Sequence, residues 1–167
     1  MSISLHGRKL RLDRYGNFIT DGNVIATVQS RLVTITSAQM LALSATPRTL
    51  VAAPGAGRVL IFKGAQLFYD YNSAAYAGIA TGEDLAFRYT DGSGAIAATL
   101  ETTGFLDATA DARRWVPEGA SPAATAAGVA IVANAPLVLH MTTGEITTGD
   151  SPLLVRTFFL NVSADLP

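Results

Sequence analysis

An all-β fold is what this sequence predicts: a jelly-roll-like antiparallel β-sandwich with one or two short helical turns and an N-terminal arm or hairpin. Three observations lead there. Apolar segments rich in β-branched and aromatic residues recur along the chain, with the longest, Arg58 to Tyr71, running fourteen residues without a strong breaker. Gly, Pro, Asn and Asp signals such as Pro54-Gly-Ala-Gly and Asp91-Gly-Ser-Gly separate them. Only Ser37-Ala-Gln-Met-Leu-Ala-Leu reads as helix. Counting these segments gives about eight strands, the number a sandwich or jelly roll needs.

The 167 residues fit an arm over 1–30 and a sandwich over 31–167. In the first part, Arg8, Lys9, Arg11 and Arg14 place four of the twelve basic residues within seven positions. Leu10 and Leu12 alternate with charged neighbours as in a strand, and turn signals follow at Tyr15-Gly-Asn and Asp21-Gly-Asn. An ordinary edge hairpin and an arm reaching onto an acidic partner surface both fit this pattern.

Leu32 to Thr36 is the first sandwich strand, and Ser37 is the expected N-cap of the helical turns, which Thr46-Pro47 ends. Arg48 to Ala52 is the next strand. In the long strand, strict alternation puts Val59, Ile61, Ala65, Leu67 and Tyr69 on one face and Leu60, Phe62, Gly64 and Phe68 on the other. Both faces are apolar in the first half, so the second face should meet a neighbouring subunit or a covering loop. Leu60, Phe62, Phe68 and Tyr71 are therefore the candidate subunit-contact residues, and Gly64 beside Lys63 is a candidate bulge. Asp84 to Thr90 alternates as a half-exposed strand, and Ala95 to Glu101 returns beside it. A strand is expected around Trp115, the only tryptophan, and two more over Asn134–Thr142 and Leu153–Ser163.

Composition narrows the function. Charged residues make up 15% of the chain against roughly 25% in soluble domains. The missing charge points to an exterior partly covered by copies of itself, or else to a neutral surface rich in Thr, Ser, Ala and Gly. A net charge of −1 gives no field that would favour nucleic acid or an anionic membrane. The absence of cysteine excludes disulfides and thiolate metal sites. The opening residues lack the basic region and apolar run of a secretory signal, so a cytoplasmic product is expected. The uncharged stretch Gly119–Gly144 is broken by Pro122, Gly128, Asn134 and Pro136 and reads as loop and strands, not as a membrane helix.

No catalytic, cofactor-binding or metal-ligating residue is nominated. His6 and His140 have no ligand spacing, and His140 reads as an ordinary strand residue. No Gly-x-Ser-x-Gly occurs, and Gly55-Ala-Gly57 precedes a strand where a phosphate loop would precede a helix. Glu83 with Asp84, and Asp107 with Asp111, lack a calcium-loop pattern and read as solvated turns. Phe68, Tyr69, Tyr71, Tyr76 and Tyr89 form either a sugar-binding platform or, preferred, core and subunit contact.

Ile35-Thr-Ser-Ala-Gln-Met-Leu-Ala-Leu, Thr46-Pro, Val51-Ala-Ala-Pro-Gly-Ala-Gly-Arg, Gly104-Phe-Leu-Asp-Ala-Thr-Ala-Asp, Pro136-Leu-Val-Leu and Gly144-Glu-Ile-Thr-Thr-Gly-Asp-Ser-Pro-Leu resemble a group of small proteins encoded beside the capsid genes of tailed bacteriophages. The resemblance runs from Arg31 onward. It implies a decoration, or cement, protein: a homotrimeric jelly-roll sandwich, made in the host cytoplasm, that sits on the outer surface of the phage head and binds the major capsid protein. The first thirty residues fall outside the resemblance; as a capsid-gripping arm they would make Arg8, Lys9, Arg11 and Arg14 the capsid contacts. The alternative is a head-fibre or receptor-binding domain that recognises host surface glycan, which an exposed aromatic cluster free of subunit contacts would favour.

Overall fold

The computed structural model describes residues 2–5, 8–20, 23–79, 82, 84–119, 129–142 and 146–164. The chain is all-β: two four-stranded antiparallel sheets packed together, and a third small sheet from the N-terminal residues. β1 (Ser2–Leu5), β2 (Arg8–Leu12), β3 (Phe18–Thr20) and β4 (Asn23–Ile25) form the small sheet in sequence order, as a meander. β5 (Gln29–Ile35) then enters the sandwich, followed by the short helix α1 (Ser37–Leu41), β6 (Arg48–Val51), β7 (Arg58–Tyr69), β8 (Asp84–Tyr89), β9 (Ile96–Glu101), β10 (Ala112–Pro117), β11 (Leu137–Met141) and β12 (Leu153–Ser163). One sandwich sheet has the order β10-β7-β12-β5 and the other β6-β11-β8-β9.

β7 and β12 are the two long strands and lie side by side at the centre of their sheet. Their ladder is broken once. Phe158 pairs with Gly64 and Phe159 with Phe62, which leaves Lys63 without a partner and makes the bulge expected there. Gly64 has φ +137°, a conformation that L side chains resist, and a Cβ on it would stand 2.8 Å from the Trp115 ring. The strand stays within one sheet.

That extra residue shifts the side-chain phase of β7, and strict alternation fails there. Before the bulge Leu60 and Phe62 point into the core, and after it Ala65, Leu67 and Tyr69 do. Leu60 and Phe62, the candidate subunit contacts, are only 1% and 4% exposed, because the opposite sheet of the same chain covers them. They are core residues. The second face is covered at Val59 by the chain itself, through a bridge to Ala133, while Ile61 lies near Val129 and Ile131.

Ile35, Leu85, Phe87, Leu137, Leu139, Leu153 and Val155 fill the centre of the sandwich together with those β7 side chains. Burying each contributes about 1.5–3 kcal/mol relative to exposure. β8 departs from its half-exposed expectation, since Ala86 on its outer side is buried too. Helix α1 starts one residue earlier than Ser37 suggested. Thr36 is the N-cap: its hydroxyl accepts from the Gln39 amide at 3.3 Å, and Gln39 Oε1 accepts from the Thr36 amide at 3.2 Å, a capping box.

Among the first thirty residues, no described side chain belongs to the sandwich core. The small sheet is joined to the sandwich by a polar node. Asp13 Oδ1 accepts from the amides of Tyr15 and Asn17, closing the turn after β2. Asn17, fully buried, donates to the Asn161 carbonyl on β12 at 3.0 Å, and Gln29 Nε2 donates to the Tyr15 carbonyl at 2.5 Å.

Candidate functional site

The residues with the clearest surface chemistry lie on the outward face of the β10-β7-β12-β5 sheet. The register sets them in rows across the strands: Arg113, Phe68 and Leu154 in one, and Trp115, Gln66, Arg156 and Leu32 in the next. Trp115 on β10, beside buried Val116, and Leu32 on β5 are 56% and 51% exposed, large apolar side chains left in solvent. The Trp115 ring leans over Gly64 and meets Phe158 at 5.5 Å between centroids, tilted by 54°. Arg113 lies over Phe68 with its Cζ 4.2 Å from the ring centroid. Between these rows a 180 Å³ groove is lined by Leu32, Gln66, Phe68, Arg113, Leu154 and Arg156. Neither arginine forms an ion pair with another described residue.

The basic N-terminal cluster is placed on β2 and the turn after it. Arg11 and Arg14 are exposed, with the Arg14 Cζ 4.7 Å from the Tyr15 ring centroid. The side chains of Arg8 and Lys9 lie outside the described ones.

The tyrosine cluster is buried and cannot form a platform. Tyr69, Tyr76 and Tyr89 are at most 2% exposed, and Tyr69 packs within 6.1 Å of Tyr76 and 6.0 Å of Phe105. Burial pushes the Tyr76 phenol far up, and its hydroxyl donates to the Ser151 carbonyl at 2.6 Å. Phe62 N–H donates to Tyr89 Oη at 3.2 Å, so that phenol also serves the fold. Of the group, Phe68 and Tyr71 keep partial exposure, on the outward face and at the end of β7 respectively.

The candidate ionisable pairs separate into structural roles. Asp107 Oδ1 accepts from the Gly104 amide at 2.6 Å, and Asp111 Oδ1 from the Tyr71 amide at 3.0 Å. Glu83 and His6 lie outside the described residues. Burial, with the Glu101 charge opposite on β9, pushes Asp84 up. His140 sits on β11 with Nε2 3.0 Å from the Ser44 carbonyl. Among the described residues no group of three or more His, Cys, Asp or Glu side chains converges. Gly55-Ala-Gly57 is a strand connector, with the Gly55 amide donating to Asn134 Oδ1 at 3.0 Å. No described helix is long and apolar enough to cross a membrane.

Trp115 is the residue that sequence reasoning passed over. The alternation of Ala112 to Pro117 holds the signal, since Val116 turned inward puts Trp115 outward, but that inference needs the strand to be known as an edge. No family model, no curated protein and no solved structure matches this chain.

Proposed function

We propose that the protein is a structural component of a tailed-bacteriophage virion, a decoration protein that binds the assembled head lattice from outside. The observation that carries this reading is the division of the chain into a packed sandwich and a separate small sheet, which bears exposed Arg11 and Arg14 and adds no described side chain to the core. A part whose described side chains lie outside the core costs ordering entropy, and a grip on a partner would account for its retention.

We also read the strand order as a jelly roll. Numbered within the sandwich from one to eight, the strands lie in the orders six-three-eight-one and two-seven-four-five, the interleaving that two Greek keys produce. The partners are then further copies, as a homotrimer, and the major capsid protein. Of the residues nominated for contact, Arg11, Arg14, Phe68 and Tyr71 have side chains within reach of a partner.

The mechanism is linkage. A protein that binds the assembled lattice and not free subunits stabilises the lattice by about 2.7 kcal/mol per site when present at a hundred times its Kd. The test is native mass spectrometry together with co-sedimentation on expanded heads of the cognate phage. A trimer that pellets with heads is expected, with pelleting weakened when Arg11 and Arg14 are changed to Ser. A monomer that stays in the supernatant would overturn the reading.

A further inference from the structure

We propose that the outward face of the β10-β7-β12-β5 sheet binds an acidic saccharide, with one pyranose ring stacked on the Trp115 indole and carboxylates of neighbouring units of the same chain held by Arg156 and Arg113. Three features of that face define the ligand. The first is a flat aromatic surface in solvent. Trp115 is 56% exposed, with its ring close over Gly64, which has no side chain, and 5.5 Å from Phe158, so the indole rests on the sheet while much of it stays in solvent. The apolar C–H face of a sugar ring suits such a surface.

The second is charge. Two guanidiniums flank a groove whose lining residues include no carboxylate, and neither has an ion-pair partner among the described residues. They stand two strands apart, roughly 10 Å, a span that adjacent units of an anionic chain can bridge. Arg113 is already held over Phe68, so less freedom is lost when it pairs with a carboxylate.

The third is the floor. β7 and β12 are interior strands whose backbone groups pair with each other and with β10 and β5, so the groove offers no open edge for a peptide strand to extend. Its 180 Å³ is smaller than a drug-sized site and suits one sugar unit beside the ring on Trp115, which lies outside its lining. Gln66, with both amide donor and acceptor, lies between Trp115 and Arg156 in the same row, where sugar hydroxyls would fall.

The proposal does not depend on head binding but gives Phe68 to the ligand instead of a subunit contact, and the two readings fail separately: sugar binding is measured on the free protein, head binding by sedimentation. Trp115 is the only tryptophan, so its fluorescence reports on this face alone. The full chain is titrated with a galacturonic acid trimer, a guluronic acid trimer, the neutral galactose trimer and a hexa-aspartate peptide. A saturable blue shift with at least one uronate is expected, weakening as salt is added, with neither the neutral sugar nor the peptide matching it. Arg156→Gln and Arg113→Gln should each raise Kd about tenfold or more, and Trp115→Ala, followed by calorimetry, should abolish binding while the circular dichroism of the sandwich is retained. No response to either uronate up to about 10 mM, equal binding of the neutral trimer or the peptide, or unchanged affinity in both arginine variants overturns the proposal. A face sealed by a second copy would also leave Trp115 silent and overturn it.

Discussion

Arg58 lies over the ring of Tyr15, its Cζ 3.8 Å from the ring centroid, and so the first residue of β7 holds the turn that follows β2. The same guanidinium donates to Asn161 Oδ1 at 2.7 Å and to the Asn161 carbonyl at 2.6 Å. One side chain thus ties the small sheet to both central strands of the sandwich.

Replacing Arg58 with Met keeps an apolar stem over Tyr15 and removes the donors and the charge. Losing the cation–π contact and the charged hydrogen bonds should weaken the attachment by about 1–3 kcal/mol. Hydrogen exchange is expected to quicken in β2 to β4 by about tenfold or more, with β8 and β11 unchanged. Equal acceleration throughout would mean that the node supports the whole fold.

Gly64→Ala should be among the most costly single-methyl additions in the chain. The new Cβ would lie 2.8 Å from Trp115 Cζ2 and 3.0 Å from the Val116 carbonyl, at a φ of +137°. A loss of about 2 kcal/mol or more in denaturant unfolding is expected. Adding Trp115→Ala should recover only part of it, because the φ strain and the Val116 contact remain. Full recovery would show that the indole was the whole obstacle.

Asp150 clamps the loop that follows β7. Its carboxylate accepts from the Ser73 hydroxyl and amide, the Ala74 amide and the Asn72 side chain, and these donors, the Ser73 hydroxyl first, pull its pKa down to about 2. A carboxyl lowered by folding adds stability that is complete above its unfolded value near pH 4 and is lost as pH falls towards 2. Carbon-detected NMR of Asp150 is expected to show a midpoint near 2, with the Ser73 and Ala74 amide shifts moving together with it. Asp150→Asn should leave those amides insensitive to acid over this range. A midpoint near 4 would mean that the clamp is open in solution.

The fold class could be read from the sequence because its signals are local. The turn at Asp91-Gly-Ser-Gly closes as its residues suggest, with Asp91 Oδ1 accepting from the Ser93 amide at 2.8 Å, and Leu153 to Ser163 alternates over its whole length. What failed depended on one inserted residue. Gly64 marked the bulge, yet alternation counted straight through it sent Leu60 and Phe62 to the wrong side. The surface was less legible than the core, since the exposure of Trp115 depends on β10 being an edge strand, which its own residues do not record. The tyrosines near the end of β7 left core and platform both open, because an amphipathic ring suits core and surface alike; neighbours distant in sequence decide it, and they place Tyr69, Tyr76 and Tyr89 in the core, the preferred reading.

β12 lies between β7 and β5, so the two strands it joins are separated by a vacancy until synthesis has passed Ser163. A nascent chain on the ribosome therefore carries a long, largely apolar β7 with one unpaired edge and a β5 with no neighbour in its sheet. Both wait for a strand more than eighty residues downstream of β7's last residue, Tyr69. Sheet completion waits for β12 in this topology, and crowding of unfinished chains on one messenger would favour pairing between them, the route by which such edges aggregate.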